Sequence, residues 1–128
     1  MDLWDYMNGK RNEILQWAQS LSVRDRAALN QKLDMLARLD FDQARQLQLL
    51  AGPIKKSGHI LKLRVMGQSA MRPLLCRGPH APRTEYTLLK GAAERDSVLH
   101  PPGALEKAME NREIVEQDKT KRVSHERA

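Results

Sequence analysis

The sequence predicts an α+β fold: a small antiparallel sheet of about four strands packed against an N-terminal helical hairpin, with a further helix near the C-terminal end. Apolar residues recur at helical spacing in the first third of the chain and again towards its end. The segment between them alternates apolar and charged residues with the period of two that is typical of strands. Residues 1–117 are expected to form a single domain, because a chain of 128 residues has no room for a second full core.

The N-terminal helices are predicted from two apolar stripes. The first has the spacing of one helix face and indicates a helix at residues 11–20. Its members are Ile14, Trp17, Ala18 and Leu21. Ser22 has the side chain of an N-cap for a second helix. The second stripe consists of Leu29, Leu33, Leu36 and Ala37. A third, short helix is expected at residues 43–50, before Gly52-Pro53. Its inward face is expected to contain Ala44, Leu47 and Ala51.

Strands are expected at residues 3–7, 60–66, 71–77 and 85–90. The last three are expected to form an antiparallel meander. Period two puts Lys62 and Arg64 on the same strand face. Pro73 has no backbone N–H, which favours a strand start, a bulge or an edge position. Residues 92–100 are expected to be a polar loop, and the Pro-Pro-Gly run at 101–103 introduces the last helix.

Composition limits the compartment and the cofactors. One cysteine excludes an internal disulfide and favours a reducing cytoplasm. The N-terminal text MDLWDYMNGK lacks the pattern of a secretory signal, and no apolar run is long enough for a bilayer, so no membrane partner is expected. The four histidines lack metal-ligand spacing, so neither a metal site nor another cofactor is expected. Residues 118–128 are highly charged and are expected to be a flexible tail.

The positive charge is concentrated in the strand-rich segment at residues 52–90. This segment contains eight basic residues and one acid, a net charge of +7, whereas the whole chain has a net charge of +6. The rest of the chain is therefore close to neutral. A basic sheet surface beside near-neutral helices is typical of proteins that bind an anionic partner such as a nucleic acid.

The order of the predicted elements and four short motifs resemble the RelE/ParE toxin superfamily, and most closely its HigB-like, phage-derived branch. The motifs are HILKLRV (59–65), AMRPLL (70–75), TLLKG (87–91) and LEKAMENR (105–112). The resemblance implies a metal-independent mRNA interferase, the toxin of a type II toxin–antitoxin system. Such an enzyme cleaves mRNA on the ribosome by attack of a ribose 2′-OH on the adjacent phosphate. A cognate antitoxin, often a helix-turn-helix DNA-binding protein, neutralises it.

The resemblance and the charge pattern give each candidate site residue a role. Lys62, Arg64 and Arg72 match basic residues of two family strands, and Arg95 is a looser match in the segment after the last strand. All four are expected to be catalytic, because arginine and lysine stabilise the charge that develops on the transferred phosphate. The expected RNA-binding residues are Lys55, Lys56, Arg77 and Lys90. His100 is the candidate general acid or base, since imidazole titrates near neutrality.

The chain departs from the family pattern after the TLLKG motif. Relatives often have a Lys-Lys pair, a histidine or a tyrosine there, where this chain has Ala92-Ala93-Glu94. The alternative hypothesis is therefore a non-enzymatic basic binding protein of the same fold, which inhibits gyrase or another host factor or binds RNA. A generic nucleic-acid-binding module is a third alternative.

Overall fold

The computed structural model describes residues 1–128 and has the predicted α+β architecture, with helices on both sides of a central sheet. The helices are α1 (Glu13–Ser20), α2 (Val23–Ala37), α3 (Phe41–Gln46) and α4 (Ala104–Gln117). The strands are β1 (Asp2–Tyr6), β2 (Leu50–Ala51), β3 (Leu61–Leu63), β4 (Val65–Met66), β5 (Ala70–Met71), β6 (Leu74–Arg77), β7 (Glu85–Lys90), β8 (Ala93–Arg95), β9 (Val98–His100) and β10 (Arg122–Ser124). A 3-10 turn, Lys119–Lys121, precedes β10.

Side-chain caps fix where the N-terminal helices begin. The predicted Ser22 cap is confirmed, because its hydroxyl accepts a hydrogen bond from the backbone N–H of Asp25. Asn12 caps α1, and Asp40 forms a reciprocal capping box with Gln43 at the start of α3. The third helix therefore begins earlier than predicted. The predicted inward position of Leu47 is wrong: its exposed fraction is 62%.

The six-stranded sheet has the order β10-β1-β7-β6-β3-β2. The meander β3-β6-β7 is antiparallel, as predicted, but β1 pairs with β7 in parallel. A parallel pair needs a long crossover, and the whole segment from α1 to β6 supplies it. The sheet is larger than the expected four strands because β2 and β10 extend its two edges.

Each face of this sheet has its own apolar core. Helices α1, α2 and α3 cover one face, where Leu61, Leu75, Tyr86 and Leu88 are buried. Helix α4 covers the other face. The core under α4 contains Tyr6, Ile60, Leu74, Cys76, Leu89, Ala92, Ala104, Ala108 and Val115. Alternate residues of β6 and β7 thus enter different cores, which explains why these strands are buried along almost their whole length.

The strands predicted at 60–66 and 71–77 both bend and pass into a second sheet, ordered β4-β5-β8-β9. The first breaks at Arg64, whose backbone N–H still donates to the Leu49 carbonyl beside β2, whereas the next residue, Val65, pairs with β5. The second breaks before Pro73, in agreement with the predicted strand start. Arg72 then pairs outside the first sheet, because its backbone N–H donates to the Ala92 carbonyl.

The polar loop predicted at residues 92–100 is wrong, because this segment is the β8–β9 hairpin. Asp96 and Ser97 form its two-residue turn, with φ values of 50° and 65°. Two successive residues of positive φ match the twist of a tight hairpin and allow the flanking residues to pair. The hairpin begins just after Gly91, where any side chain would overlap Trp17 of α1.

The flexible tail predicted at residues 118–128 is also wrong. Strand β10 pairs antiparallel with β1, and Arg122 forms a buried ion pair with Glu85. The last residue is held on α2, because the Ala128 carbonyl accepts a hydrogen bond from the Asn30 side chain at 3.0 Å. Two of the four lysines and arginines of this segment, Arg122 and Arg127, are therefore paired with acids of the domain. None of the helices combines the length and the apolar character needed to cross a bilayer.

Candidate functional site

Two of the predicted catalytic residues converge on one carboxylate oxygen. Lys62 Nζ lies 3.2 Å from Glu94 Oε2, and Arg72 Nε lies 3.7 Å from the same oxygen. The exposed fraction of the side chain is 29% for Lys62, 13% for Arg72 and 23% for Glu94. They form a half-buried group with two positive charges and one negative charge, which we call the Lys62–Glu94–Arg72 cluster.

The strand bends create this cluster. Lys62 is the last outward residue of β3 before the break, and Arg72 occupies the break between β5 and β6. Glu94 reaches the same place because β8 pairs with β5, with Ala70 as its register partner. The Arg72 guanidinium donates to the Met71 carbonyl at 2.8 Å and to the Val65 carbonyl at 3.4 Å. These hydrogen bonds fix its position without cancelling its charge.

Lys90 lies in the same row of the sheet as Lys62. Leu74 of β6 pairs with Lys62 on one side and with Lys90 on the other. Lys62 and Lys90 are therefore both register partners of the buried Leu74, at the point where β6 and β7 shift register between Leu74 and Leu75. Lys90 is half-buried, and no acid pairs with it.

Arg95 and His100 lie apart from the cluster. The hairpin register pairs Ala93 with His100 and Glu94 with Leu99. Neighbouring strand residues point to opposite faces, so both Arg95 and His100 point away from the face that contains Glu94. The structure therefore does not bring the candidate general acid or base, or the fourth candidate catalytic residue, to the cluster.

Arg64 and the two loop lysines also lie outside the cluster. Arg64 is exposed at the bend after β3 and borders a depression at the β2 edge, together with Arg45 and Gln48. Lys55 and Lys56 are exposed in the turn that follows Gly52-Pro53, and Lys56 has a positive φ of 66°. These residues contribute charge to the surface without a fixed partner.

Arg77 lies on the opposite face of the six-stranded sheet from the cluster. It is the register partner of Tyr86, and its guanidinium stacks 4.3 Å from the centre of the Phe41 ring. The surrounding residues form a pocket of about 180 Å³, which we call the Phe41 pocket. Its lining consists of Phe41, Arg45, Pro53, His59, Leu61 and Arg77.

Two buried groups lack the ionisation that a nucleophile or base would need. Burial raises the pKa of the Cys76 thiol to about 12, although nearby Arg112 acts against this shift. Burial likewise raises the pKa of Tyr86 to about 12, although the Arg77 charge favours the phenolate. Both groups stay protonated near neutral pH. No group of three or more histidine, cysteine, aspartate or glutamate side chains lies close enough to hold a metal ion.

Glu94 is the site residue that sequence reasoning missed, since it appeared there only as a departure from the family pattern. The signal that could have located it is the hairpin, in which the segments AER and VLH flank the polar pair Asp96-Ser97. Comparisons of the chain with family models, curated proteins and solved structures found no match.

Proposed function

We propose that this chain is the toxin of a type II toxin–antitoxin pair and that it cleaves mRNA on the ribosome in the bacterial cytoplasm. The observation that supports this proposal best is the convergence of Lys62 and Arg72 on one oxygen of Glu94. Two cations that reach the same oxygen can equally reach the non-bridging oxygens of a single phosphate. The order of strand, helical hairpin, antiparallel meander and terminal helix agrees with the family resemblance.

The cluster supplies the groups for attack of a ribose 2′-OH on the adjacent phosphate. Glu94 accepts the proton of the hydroxyl while the bond from O2′ to phosphorus forms and the bond from phosphorus to O5′ breaks. Lys62 and Arg72 stabilise the negative charge that accumulates on the phosphate oxygens. The leaving O5′ takes a proton from Lys62 or from water, because His100 points to the opposite face. The products are a 2′,3′-cyclic phosphate and a 5′-hydroxyl.

The phosphate must displace Glu94 from its two cations. This exchange is feasible because the phosphate replaces one anion with another next to the same two cations, and all three side chains retain some contact with water. Glu94 then remains next to the phosphate, where it can accept the 2′-OH proton. Lys90, in the same row as Lys62, binds the RNA strand beside the scissile phosphate. An antitoxin with an acidic segment would block the same cations.

The test is cleavage of a defined mRNA by the purified chain in the presence of programmed ribosomes, followed by primer extension. We expect Lys62→Ala to slow cleavage about 10²- to 10³-fold, because one stabilising donor is lost. Glu94→Gln should slow it by about 10²-fold or more, because the amide cannot accept the proton. The matched control is Lys119→Ala, an exposed lysine in the 3-10 turn before β10. Intact mRNA with the wild-type chain, or equal rates for all variants, would contradict the proposal.

The second candidate is a non-enzymatic binding protein that inhibits gyrase or another host factor. It is favoured by the ion pairs of Glu94, which partly neutralise the two cations where relatives often have additional basic or aromatic groups. This candidate predicts growth arrest without mRNA cleavage. Purified gyrase or a host lysate should then retain the wild-type chain, and Glu94→Gln should bind at least as tightly because it removes a negative charge.

A further inference from the structure

The Phe41 pocket contains two arginines without an anionic partner. Arg77 lies 4.3 Å and Arg45 5.7 Å from the centre of the Phe41 ring. Neither takes part in an ion pair with the chain. The arginines that donate side-chain hydrogen bonds within the chain are Arg26, Arg72, Arg112, Arg122 and Arg127. The donors of Arg45 and Arg77 are therefore available to a ligand.

The same chain shows what such a stack looks like when its anion is present. Arg122 lies 4.3 Å from the centre of the Trp4 ring, the same distance as Arg77 from Phe41. Arg122 also donates to both carboxylate oxygens of Glu85, at 2.6 and 3.2 Å. The Arg122 guanidinium thus stacks on an aromatic ring and also donates two hydrogen bonds to one carboxylate. At Arg77 the aromatic face is present and the anion is not.

The donors and the volume of the pocket favour a phosphate as its ligand. The pocket is open to solvent and, besides the two arginines, is lined by His59, a third potential donor. Its volume of about 180 Å³ exceeds that of a single water site several-fold, since a water molecule occupies about 30 Å³ in the liquid. The two non-bridging oxygens of a backbone phosphodiester share one negative charge and provide one acceptor for each of the two guanidinium groups.

Two neighbouring depressions, joined to Arg72 by the neutral side chain of Met66, connect this pocket to the Lys62–Glu94–Arg72 cluster. Arg45 borders both the Phe41 pocket and the depression that contains Arg64. Arg64 also borders the next depression, which contains Met66. The sulfur of Met66 lies 3.7 Å from the Arg72 guanidinium. The path passes around the β2 edge of the sheet, from one face to the other.

We propose that the Phe41 pocket binds a backbone phosphate of single-stranded RNA, outside the scissile position, and that Arg64 guides the strand between the two sites. This inference rests on the proposed function in one respect: the RNA is taken to be the strand that the cluster cleaves. A strand bound at both ends would be held across the bend in β3, which would align its 2′-OH at the cluster.

The experiment measures binding of a labelled, 2′-O-methylated RNA strand as a function of salt. Methylation blocks cleavage, so binding at the pocket is read independently of the proposed reaction. Each lost phosphate contact to a single strand reduces the slope of log K against log salt concentration by about 0.7. Because both arginines contact the same phosphate, we expect this full reduction for the double variant Arg45→Gln/Arg77→Gln and part of it for each single variant. The matched control is Arg24→Gln, an exposed arginine at the start of α2, which should keep the wild-type slope.

Two further ligands distinguish the source of the phosphate. Adenosine 5′-monophosphate has a phosphate but no strand, and we expect it to compete with the RNA only weakly. Tight, Arg77-dependent binding of the mononucleotide would instead assign the pocket to a free nucleotide and overturn the RNA proposal. Poly-glutamate tests an acidic protein segment; Arg77-dependent binding of this polymer without a change in the RNA slope would also overturn the proposal.

The outcome is separable from that of the cleavage test. An unchanged RNA slope in Arg77→Gln and Arg45→Gln would reject the pocket even if the chain cleaves mRNA. A reduced slope together with intact mRNA would support the pocket and reject the nuclease. Thermal unfolding of each variant shows whether it is folded, and Arg77→Lys provides a second variant that keeps the charge but loses the planar fork. We expect Arg77→Lys to retain the slope and bind less tightly.

Discussion

The arginines near the two edges of the six-stranded sheet differ in whether they have an acidic partner. At the β10 edge, Arg122 is paired with Glu85 and Arg127 with Asp34. At the other end of the sheet, from the β2 edge inward to β6, none of the three arginines has an acidic partner. These three are Arg45, Arg64 and Arg77. The basic character of the chain is therefore unevenly distributed between the edges.

The difference indicates two uses of the same side chain. A buried charge is costly unless a counter-charge and hydrogen bonds compensate it, so the 6% exposed Arg122 can exist only with Glu85. Arg122 therefore contributes to the stability of the fold, because its ion pair with Glu85 connects β10 to β7. An exposed arginine has no such requirement and keeps its donors for a partner. The paired arginines therefore stabilise the fold, and we infer that the unpaired arginines bind RNA.

The largest expected contrast is between Arg122→Ala and Arg77→Ala. Loss of Arg122 leaves the Glu85 carboxylate buried without its cation, and we expect the free energy of unfolding to fall by about 3–5 kcal/mol. Loss of Arg77 removes one exposed cation–π contact, and we expect a decrease of about 0.5–1 kcal/mol. Urea denaturation monitored by tryptophan fluorescence measures both values.

Similar decreases in the free energy of unfolding for both variants would contradict this distinction, because Arg77 would then stabilise the fold as much as Arg122. A double variant that removes both Arg122 and Glu85 provides the internal control. It should be less destabilised than Arg122→Ala alone, since no unpaired carboxylate remains in the core.

A smaller effect is expected in acid, and it should arise at the paired edge. Although burial acts to raise it, hydrogen bonds from Arg122 and from backbone amides hold the pKa of Glu85 below its ordinary value of 4.5. A carboxyl whose folded pKa is lowered stabilises the protein above its unfolded pKa, and this contribution is lost as the pH falls through the folded pKa. We therefore expect urea midpoints to decrease from neutral pH to below about pH 4.

Glu85→Gln tests the origin of this acid sensitivity. It should be less stable than wild type at neutral pH, but its stability should change less on acidification, because the amide does not titrate. Some acid dependence should remain, since hydrogen bonds from Ser69 and Gln68 also hold the pKa of Asp25 below its ordinary value. An equally steep loss in Glu85→Gln would exclude Glu85 as a source.

Local patterns predicted the elements well because short-range physics determines them. Leu61, Leu63 and Val65 are all buried, as their period of two predicted. Ser22 begins α2 because its hydroxyl satisfies a free backbone N–H at the helix end. Which sheet a strand joins depends instead on partners far along the chain. The bend at Arg72, for example, depends on the Ala92 carbonyl, and no periodicity in the sequence encodes that contact.

The candidate site was predictable only in part, for the same reason. Lys62 lies in a recognisable strand and Arg72 just before another, and the antiparallel pairing of β3 with β6 brings these two segments together. Glu94 joins them because of the second sheet, which the sequence did not indicate. Arg95 and His100 were assigned to a loop, where either could have faced the cluster; the hairpin register turns both away. Short, charged strands such as β8 and β10 show little alternation, and only the polar pair Asp96-Ser97 marks the β8–β9 hairpin in the sequence.

The smallest expected effect concerns Arg127, which belongs to the paired edge but is exposed. Its ion pair with Asp34 connects the C-terminal segment to α2, and the exposed fractions of the two side chains are 62% and 42%. Water screens a pair of this kind, so we expect Arg127→Ala to lower the free energy of unfolding by about 0–1 kcal/mol. If an ion pair alone determined how much an arginine stabilises the fold, Arg127 would contribute as much to the free energy of unfolding as Arg122. We expect instead that burial decides, so that urea denaturation would rank Arg122 well above Arg127 and place Arg127 beside the unpaired Arg77.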